Sequence, residues 1–324
     1  MSIINDISKR RVAVYGNCQT AILFTLLSEC KDFNEKFTID SYVAHDLTED
    51  QVSEFFQNVD QYDIVIYQII SDEFRGGKYS SANFDKFTGK HIRVTNVYYS
   101  GYHPEASYLY DVKDHLNFQI DGVDTPSVHD INIFYRWMWK VAGVKNDKIS
   151  KFATISLPIL NDKIYSRDYS LRVHYTSLAR LEYREELFNC DVKVSPYIRM
   201  FYRSKRLFYT PNHPTLDLIL FMIRQLAILL KFEFRDSDYV GIKDPSDYLV
   251  LPIYKSTYDN LGLQFADEIP SINYTPNTYR YNGINYSPKE IEEILHSNYS
   301  RIGSLIRDKN LHSSLTARDN FSIY

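Results

Sequence analysis

The chain has 324 residues, 44% of them apolar and 24% charged, with a net charge of −4. That is enough apolar material for one large or two ordinary domains, and it excludes a disordered chain and a broad nucleic-acid surface, so nucleic acid is not an expected partner. Three cysteines, Cys18, Cys30 and Cys190, form neither a disulfide framework nor a CxxC spacing, which fits a reducing compartment and gives no reason to expect a metal.

Met1 to Arg11 carries charges straight into a strand pattern and lacks the apolar core and small-residue cleavage site of a signal peptide, so the chain is read as cytoplasmic. Arg11-Val12-Ala13-Val14-Tyr15-Gly16 is a short apolar run ending in glycine. Gln19 to Cys30 follows with helical spacing at Ile22, Leu23, Leu26 and Leu27, which predicts a strand, a turn and a helix. Phe37 to Ala44 predicts a second strand, Glu49 to Asn58 a helix begun near Thr48, Asp63 to Ile70 a third strand and His91 to Tyr99 a fourth. Strands alternating with helices give a parallel sheet covered on both faces in a doubly wound arrangement, with ligands at the strand C-terminal ends.

Beyond about residue 125 the pattern turns helical, over Val128 to Val141, Ser166 to Asn189 and Pro214 to Phe232. The organisation read from this is an α/β core over 1–125, a helical region packed on it over 126–235, and an extension over 236–324. Lys145 to Lys151 is an alternative boundary, and the extension carries a helix starting near Ser287-Pro288-Lys289-Glu290. Leu216 to Leu230 is the most apolar stretch, but Asp217, Arg224 and Gln225 interrupt it, so it reads as a buried helix. Docking of that helix at the inner membrane face is the alternative.

Cys18 falls at the start of a predicted helix, where unpaired N–H groups and the positive dipole end favour a thiolate and can also hold an oxyanion. A small buried residue in a tight turn is the alternative. Cys30 and Cys190 sit inside helical patterns and are assigned to packing. Of nine histidines, two stand out as partners for a thiol. His213 lies in Thr210-Pro211-Asn212-His213-Pro214, a loop held by two prolines, and His103 lies in Gly101-Tyr102-His103-Pro104 at a predicted strand end. Either could equally be a loop anchor. Asp217 is an orienting carboxylate for His213 or, ahead of that, a first-turn acid on the helix dipole.

Gly16, Asn17, Gln19, Gln68 and Asn212 share these strand ends and are the expected oxyanion and substrate contacts. Arg75-Gly76-Gly77-Lys78 suits a diphosphate, because two glycines admit a close backbone approach beside two cations; an ordinary solvated turn is the alternative. Arg199, Arg203, Lys205 and Arg206, interleaved with aromatics, either hold an adenine and phosphates or edge a packed strand. There is no GxGxxG after the first strand, no GxxxxGK[ST], no HExxH and no GxSxG.

Val14-Tyr15-Gly16-Asn17-Cys18-Gln19, Tyr98 to Glu105, the Arg180-Leu181-Glu182-Tyr183-Arg184-Glu185 segment and Arg206 to Pro214 together resemble, in content and order, the WcbI-type polysaccharide biosynthesis acetyltransferases. The resemblance covers roughly residues 10–235. That family is similar to SGNH-type esterases and acyltransferases, whose first block ends in Gly-Asp-Ser; Asn17 and Cys18 stand in the last two of those places, and no Asp-x-x-His appears near the C-terminus. The resemblance implies an SGNH-like three-layer α/β sheet domain with a largely helical second half. It also implies coenzyme A or acetyl-CoA as ligand and O-acetylation of a capsular or other surface sugar. In that reading Cys18 is the nucleophile, His213 the base with His103 behind it, and Arg75, Lys78, Arg203 and Arg206 the cofactor cations. A thiol esterase on the same substrates and a non-catalytic CoA- or glycan-binding module are the alternatives.

Overall fold

The first strand sits where its composition puts it: β1 (Arg10–Gly16) begins with two exposed arginines and ends in five buried residues. A computed structural model describes residues 9–104, 118–120, 123–125, 165–251, 253–265, 279–281, 284–286 and residue 290. The expected helix over 128–141, the boundary at 145–151 and the start of the late helix at 287–289 lie outside the described residues, as do Glu105, His115, His129, His296 and His312.

β1 leads through Asn17 into α1 (Cys18–Glu29), and α2 (Lys31–Lys36) adds a short helix that the sequence pattern did not reveal. β2 (Phe37–Val43), α3 (Glu49–Gln57), β3 (Ile64–Gln68) and β4 (Lys90–Val94) follow. α3 starts at a reciprocal cap in which Gln51 N–H donates to Thr48 Oγ1 and Thr48 N–H donates to Gln51 Oε1. The strands pair in the order β2-β1-β3-β4, all parallel. Val192 forms a parallel bridge to Val94 beyond β4, extending that edge. β4 stops five residues short of the expected Tyr99, because the chain leaves the sheet there to bond with residues of the second half.

Period-two alternation sends β1 to two cores at once. Val12 and Val14 pack with Ile64, Ile66, Ile92 and Val94 under Leu23, Leu26 and Leu27 of α1. The same cluster takes in residues of α4 (Arg167–Leu187), α5 (Ser195–Phe201) and α6 (Leu216–Leu230). Ala13, Tyr15, Val65 and Tyr67 face the other way, against Val52 and Phe55 of α3 and Phe84 and Phe87. The protein is thus a mixed α/β fold whose parallel sheet is covered on both faces.

Two sequence expectations about this half are corrected. Cys30 separates α1 from α2 and Cys190 follows α4, so neither lies inside a helix, though both are buried. The Thr210 to Pro214 segment is the turn of a small antiparallel hairpin, β7 (Phe208–Thr210) with β8 (His213–Pro214), not an open loop. Among the described residues there are also a two-stranded pair, β5 (Phe118–Ile120) with β6 (Val123–Thr125), and a three-stranded antiparallel sheet of β9 (Leu249–Val250), β10 (Tyr279–Tyr281) and β11 (Ile284–Tyr286). A further helix, α7 (Lys255–Leu261), ends at Gly262 in the left-handed region, φ 64°. Among the described residues, no helix is long and apolar enough to cross a membrane.

Candidate functional site

In a sheet ordered 2-1-3-4, the chain crosses in opposite directions from β1, so a crevice opens beyond the C-terminal ends of β1 and β3. Gly16 closes β1, and Gln68 closes β3 beside it. Glycine is required at 16, since a Cβ there would meet Thr20 Cγ2 at 2.6 Å and Gln68 Oε1 at 2.7 Å. The next residue, Asn17, is the N-cap of α1: its Oδ1 accepts from Gln19 N–H at 2.9 Å, and its own N–H donates to Gln68 Oε1 at 3.1 Å. Cys18 is therefore the first residue of a twelve-residue helix, partly exposed, whereas Cys30 and Cys190 are buried. Burial pushes the Cys30 thiol up and drives Cys190 to about 11, so neither forms a thiolate readily.

Gln19, next to Cys18, is 2% exposed and fully used. Its Nε2 donates to Val97 O at 2.7 Å and to Asn212 O at 2.8 Å; its Oε1 accepts from Val97 N–H at 3.0 Å and from Gln68 Nε2 at 2.8 Å. Gln68 Nε2 also reaches Thr95 O at 3.3 Å. One side-chain amide thus joins the α1 turn, the segment after β4 and the β7–β8 turn, across 193 residues of sequence. Tyr99 N–H donates to Pro211 O at 2.8 Å and locks the last two together. The Gln19 and Gln68 amides hold these segments together, and the N–H groups of Asn17 and Gln19 are committed within that frame.

His213 is 4% exposed and its Nε2 lies 2.9 Å from the hydroxyl of Tyr248, whose ring sits 5.0 Å away. His103 is fully buried, its ring edge-on to Tyr102 and its N–H on Ser100 O at 3.1 Å. Asp217 is held by Lys205 at 3.1 Å and by the Tyr197 hydroxyl at 2.7 Å. Asp217 is the acid in the first turn of α6, and a second acid, Asp244, meets the same helix start, accepting from Leu216 N–H at 2.6 Å and from the Tyr209 hydroxyl at 3.0 Å. Burial raises the Asp244 carboxyl above its ordinary range despite those bonds. Sequence reading missed Asp244 and Tyr248. Both stand more than 25 residues from the hairpin they serve, with no motif spacing to mark them.

The cations divide. Lys78 pairs with Glu49, and Arg75 donates to His45 O at 3.1 Å and Leu47 O at 3.3 Å while lying over the rings of Phe74 and Tyr79. Arg75 holds φ 46°, a left-handed conformation unusual for a residue with a Cβ. Arg203 is exposed beside the Tyr202 hydroxyl, whereas Arg206 is buried with its guanidinium on Phe208 O at 3.1 Å and Leu251 O at 2.6 Å. Arg199 pairs with Glu182. Among the described residues, no cluster of three or more His, Cys, Asp and Glu could hold a metal ion.

The family model described as polysaccharide biosynthesis enzyme WcbI matches residues 11–235. No curated protein matches the chain. A solved structure of WcbI, described as a novel polysaccharide biosynthesis enzyme and as the native protein without a disulfide bond between CoA and one of its cysteines, is similar with a TM-score of 0.62 at 20% identity. The likeness covers 95% of this chain and 98% of that one.

Proposed function

The chain belongs to the WcbI family of polysaccharide biosynthesis enzymes, and from that premise we propose that it is a CoA-dependent O-acetyltransferase acting on a capsular or other surface sugar. The observation that carries this reading is the Gln19 amide, which binds the Cys18 turn to the hairpin carrying His213. A thiol at a helix start and an imidazole on a fixed hairpin are the parts of acyl transfer. Donor choice is supported by the description of the WcbI structure, which names CoA together with a cysteine of that protein, in a form without a disulfide bond between them. The sheet order and the position of the turn after the first strand fit the SGNH type.

In this mechanism His213 takes the proton of the Cys18 thiol, and Sγ attacks the acetyl carbonyl carbon of acetyl-CoA. The thioester C–S bond breaks and the proton passes from His213 to the departing CoA thiolate. A sugar hydroxyl then gives its proton to His213 and attacks the acetyl-cysteine carbonyl; the C–Sγ bond breaks, the sugar ester leaves, and His213 returns the proton to Cys18 Sγ. The Cys18 N–H and the Asn17 side-chain amide face the developing oxyanion in this scheme, and His103 belongs to the scaffold of the post-β4 segment. Arg75, Lys78 and Arg203 are the phosphate cations, and Arg206 holds the hairpin to Leu251.

The deciding experiment measures CoA release from acetyl-CoA and acetyl transfer to a sugar acceptor for Cys18→Ala, alongside the thermal shift caused by CoA. Loss of transfer with the CoA shift retained is expected. Undiminished transfer by the folded variant would remove Cys18 from the chemistry, and CoA release to water alone would make the protein a thiol esterase.

A further inference from the structure

The residues matched to the family end at 235, yet the group bonded to the imidazole of His213 comes from Tyr248. That contact is built rather than casual. Asp244, four residues earlier, binds the chain on both sides of the hairpin: its Oδ2 accepts from Leu216 N–H after it and from the Tyr209 hydroxyl within it. Its Oδ1 accepts from Ser246 N–H at 2.8 Å, and Asp247 N–H returns to Asp244 O at 3.2 Å, closing a tight turn immediately before Tyr248. On the other side, Leu251 N–H donates to Tyr209 O at 3.0 Å, and Arg206 grips Leu251 O. Tyr248 is thus clamped at both ends to the strand that precedes His213.

We infer that Tyr248 is a positioning residue that fixes the ring orientation and tautomer of His213, so that proton transfer runs through Nδ1. This rests on the reading of His213 as the base. An imidazole has two nitrogens, and one is held at 2.9 Å by a phenol. A phenol keeps its proton until about pH 10 and can donate or accept. For Nδ1 to receive a proton, Nε2 must carry one, which then points at the Tyr248 oxygen. When Nδ1 takes its proton the ring becomes cationic, and the Nε2–H···O bond becomes charge-assisted and shorter. The hydroxyl therefore favours the imidazolium formed during transfer, in the way that an orienting acceptor supports the histidine of other nucleophile–base pairs. A tyrosine in this place also meets a need left by Asp217, which is spent on Lys205 and Tyr197.

The test uses Tyr248→Phe and Tyr248→Ala in the full chain, read in two ways. One is nitrogen NMR of the His213 ring, which reports tautomer and pKa without any substrate. The other is the pH profile of CoA release from acetyl-CoA. Both variants should lower the His213 pKa, because an acceptor for the cationic form is gone, and move the ring away from the Nε2–H tautomer. Turnover should fall about 10-fold with KM for acetyl-CoA unchanged, short of the 10²–10⁴-fold expected for loss of the base itself. A loss in the alanine variant alone would mean ring packing rather than the hydroxyl and would overturn the inference, as would an unchanged tautomer in both. If His213→Ala itself retains turnover, the catalytic reading fails, whereas the ring titration still reports on Tyr248 by itself.

Discussion

Gly16-Asn17-Cys18-Gln19 and Arg75-Gly76-Gly77-Lys78 follow neighbouring parallel strands, β1 and β3, and look alike in sequence as polar turns at strand ends. In space they differ in what holds them. The first is bound by groups as far as 193 residues away, through amides that are almost wholly buried. The second is bound by groups no more than 30 residues away, and its Lys78–Glu49 pair has side chains 54% and 61% exposed. An orphaned buried amide partner costs about 1–3 kcal/mol, while an exposed ion pair contributes about 0–1 kcal/mol. The first turn is therefore a fixed, buried frame, and the second a rim that presents solvated charge.

The largest expected effect tests the frame as chemistry. His213→Ala should lower acetyl transfer about 10²–10⁴-fold while CoA affinity stays nearly unchanged, because the lost interaction belongs to the transition state. His103→Ala is its control and should change stability more than transfer rate. If the His103 variant loses transfer in a folded protein and the His213 variant does not, the two histidines exchange roles.

Next in size is the frame as structure. Gln19→Ala removes four hydrogen bonds and leaves Val97 and Asn212 carbonyls without their donor in a buried place. A loss of about 2–4 kcal/mol is expected, since the orphaned groups share what water can enter. In a chain of this size that is a fall in Tm of roughly 3–6 °C, readable by calorimetry. A change within experimental error would show that the three segments hold together without the amide. Thiol reactivity then separates the frame from the cores below it. With iodoacetamide near pH 8, Cys18 should be labelled at least about 10-fold faster than Cys190, whose thiol burial holds near 11 and which is therefore almost wholly protonated there. Peptide mapping showing Cys30 or Cys190 modified first in the folded protein would sink the nucleophile assignment.

How far these features could be read from sequence follows from the range over which each is determined. The alternation of Val12, Val14 against Ala13, Tyr15, the Thr48 cap and the glycine before Asn17 are local, and the elements around them came out within a few residues of expectation. Cys18 at a helix start was legible for the same reason. The end of β4 was not, because Tyr99 is drawn from the sheet by Pro211, a partner from another segment. Gln19 and Gln68 were marked as site residues on position alone; that their amides face each other and spend every donor and acceptor depends on three segments meeting. Asp217 was legible by spacing as the first-turn acid of α6, whereas Asp244, which caps Leu216 N–H from a turn that begins 28 residues later, was not. Local pattern places Cys18 at the helix start, and tertiary structure assigns the groups around it.

The smallest expected effect concerns the rim. Arg75 is held in a left-handed conformation with its guanidinium on two loop carbonyls and over two aromatic rings. If Arg75 and Lys78 meet CoA phosphates, each loss of charge removes an exposed interaction of up to about 1 kcal/mol, or about 2- to 5-fold in affinity. Arg75→Gln with Lys78→Gln should thus weaken CoA binding measured by calorimetric titration, and the deficit should shrink as salt rises, since exposed charges are screened over about 10 Å at 0.1 M. Stability should barely move, because the pair lost with Lys78 is a surface one. A deficit that does not respond to salt would mean that the left-handed turn had been disturbed rather than a charge removed. No deficit at low salt would shift the phosphate contacts to Arg203, the exposed cation of the second cluster, where Arg203→Gln is the matching variant.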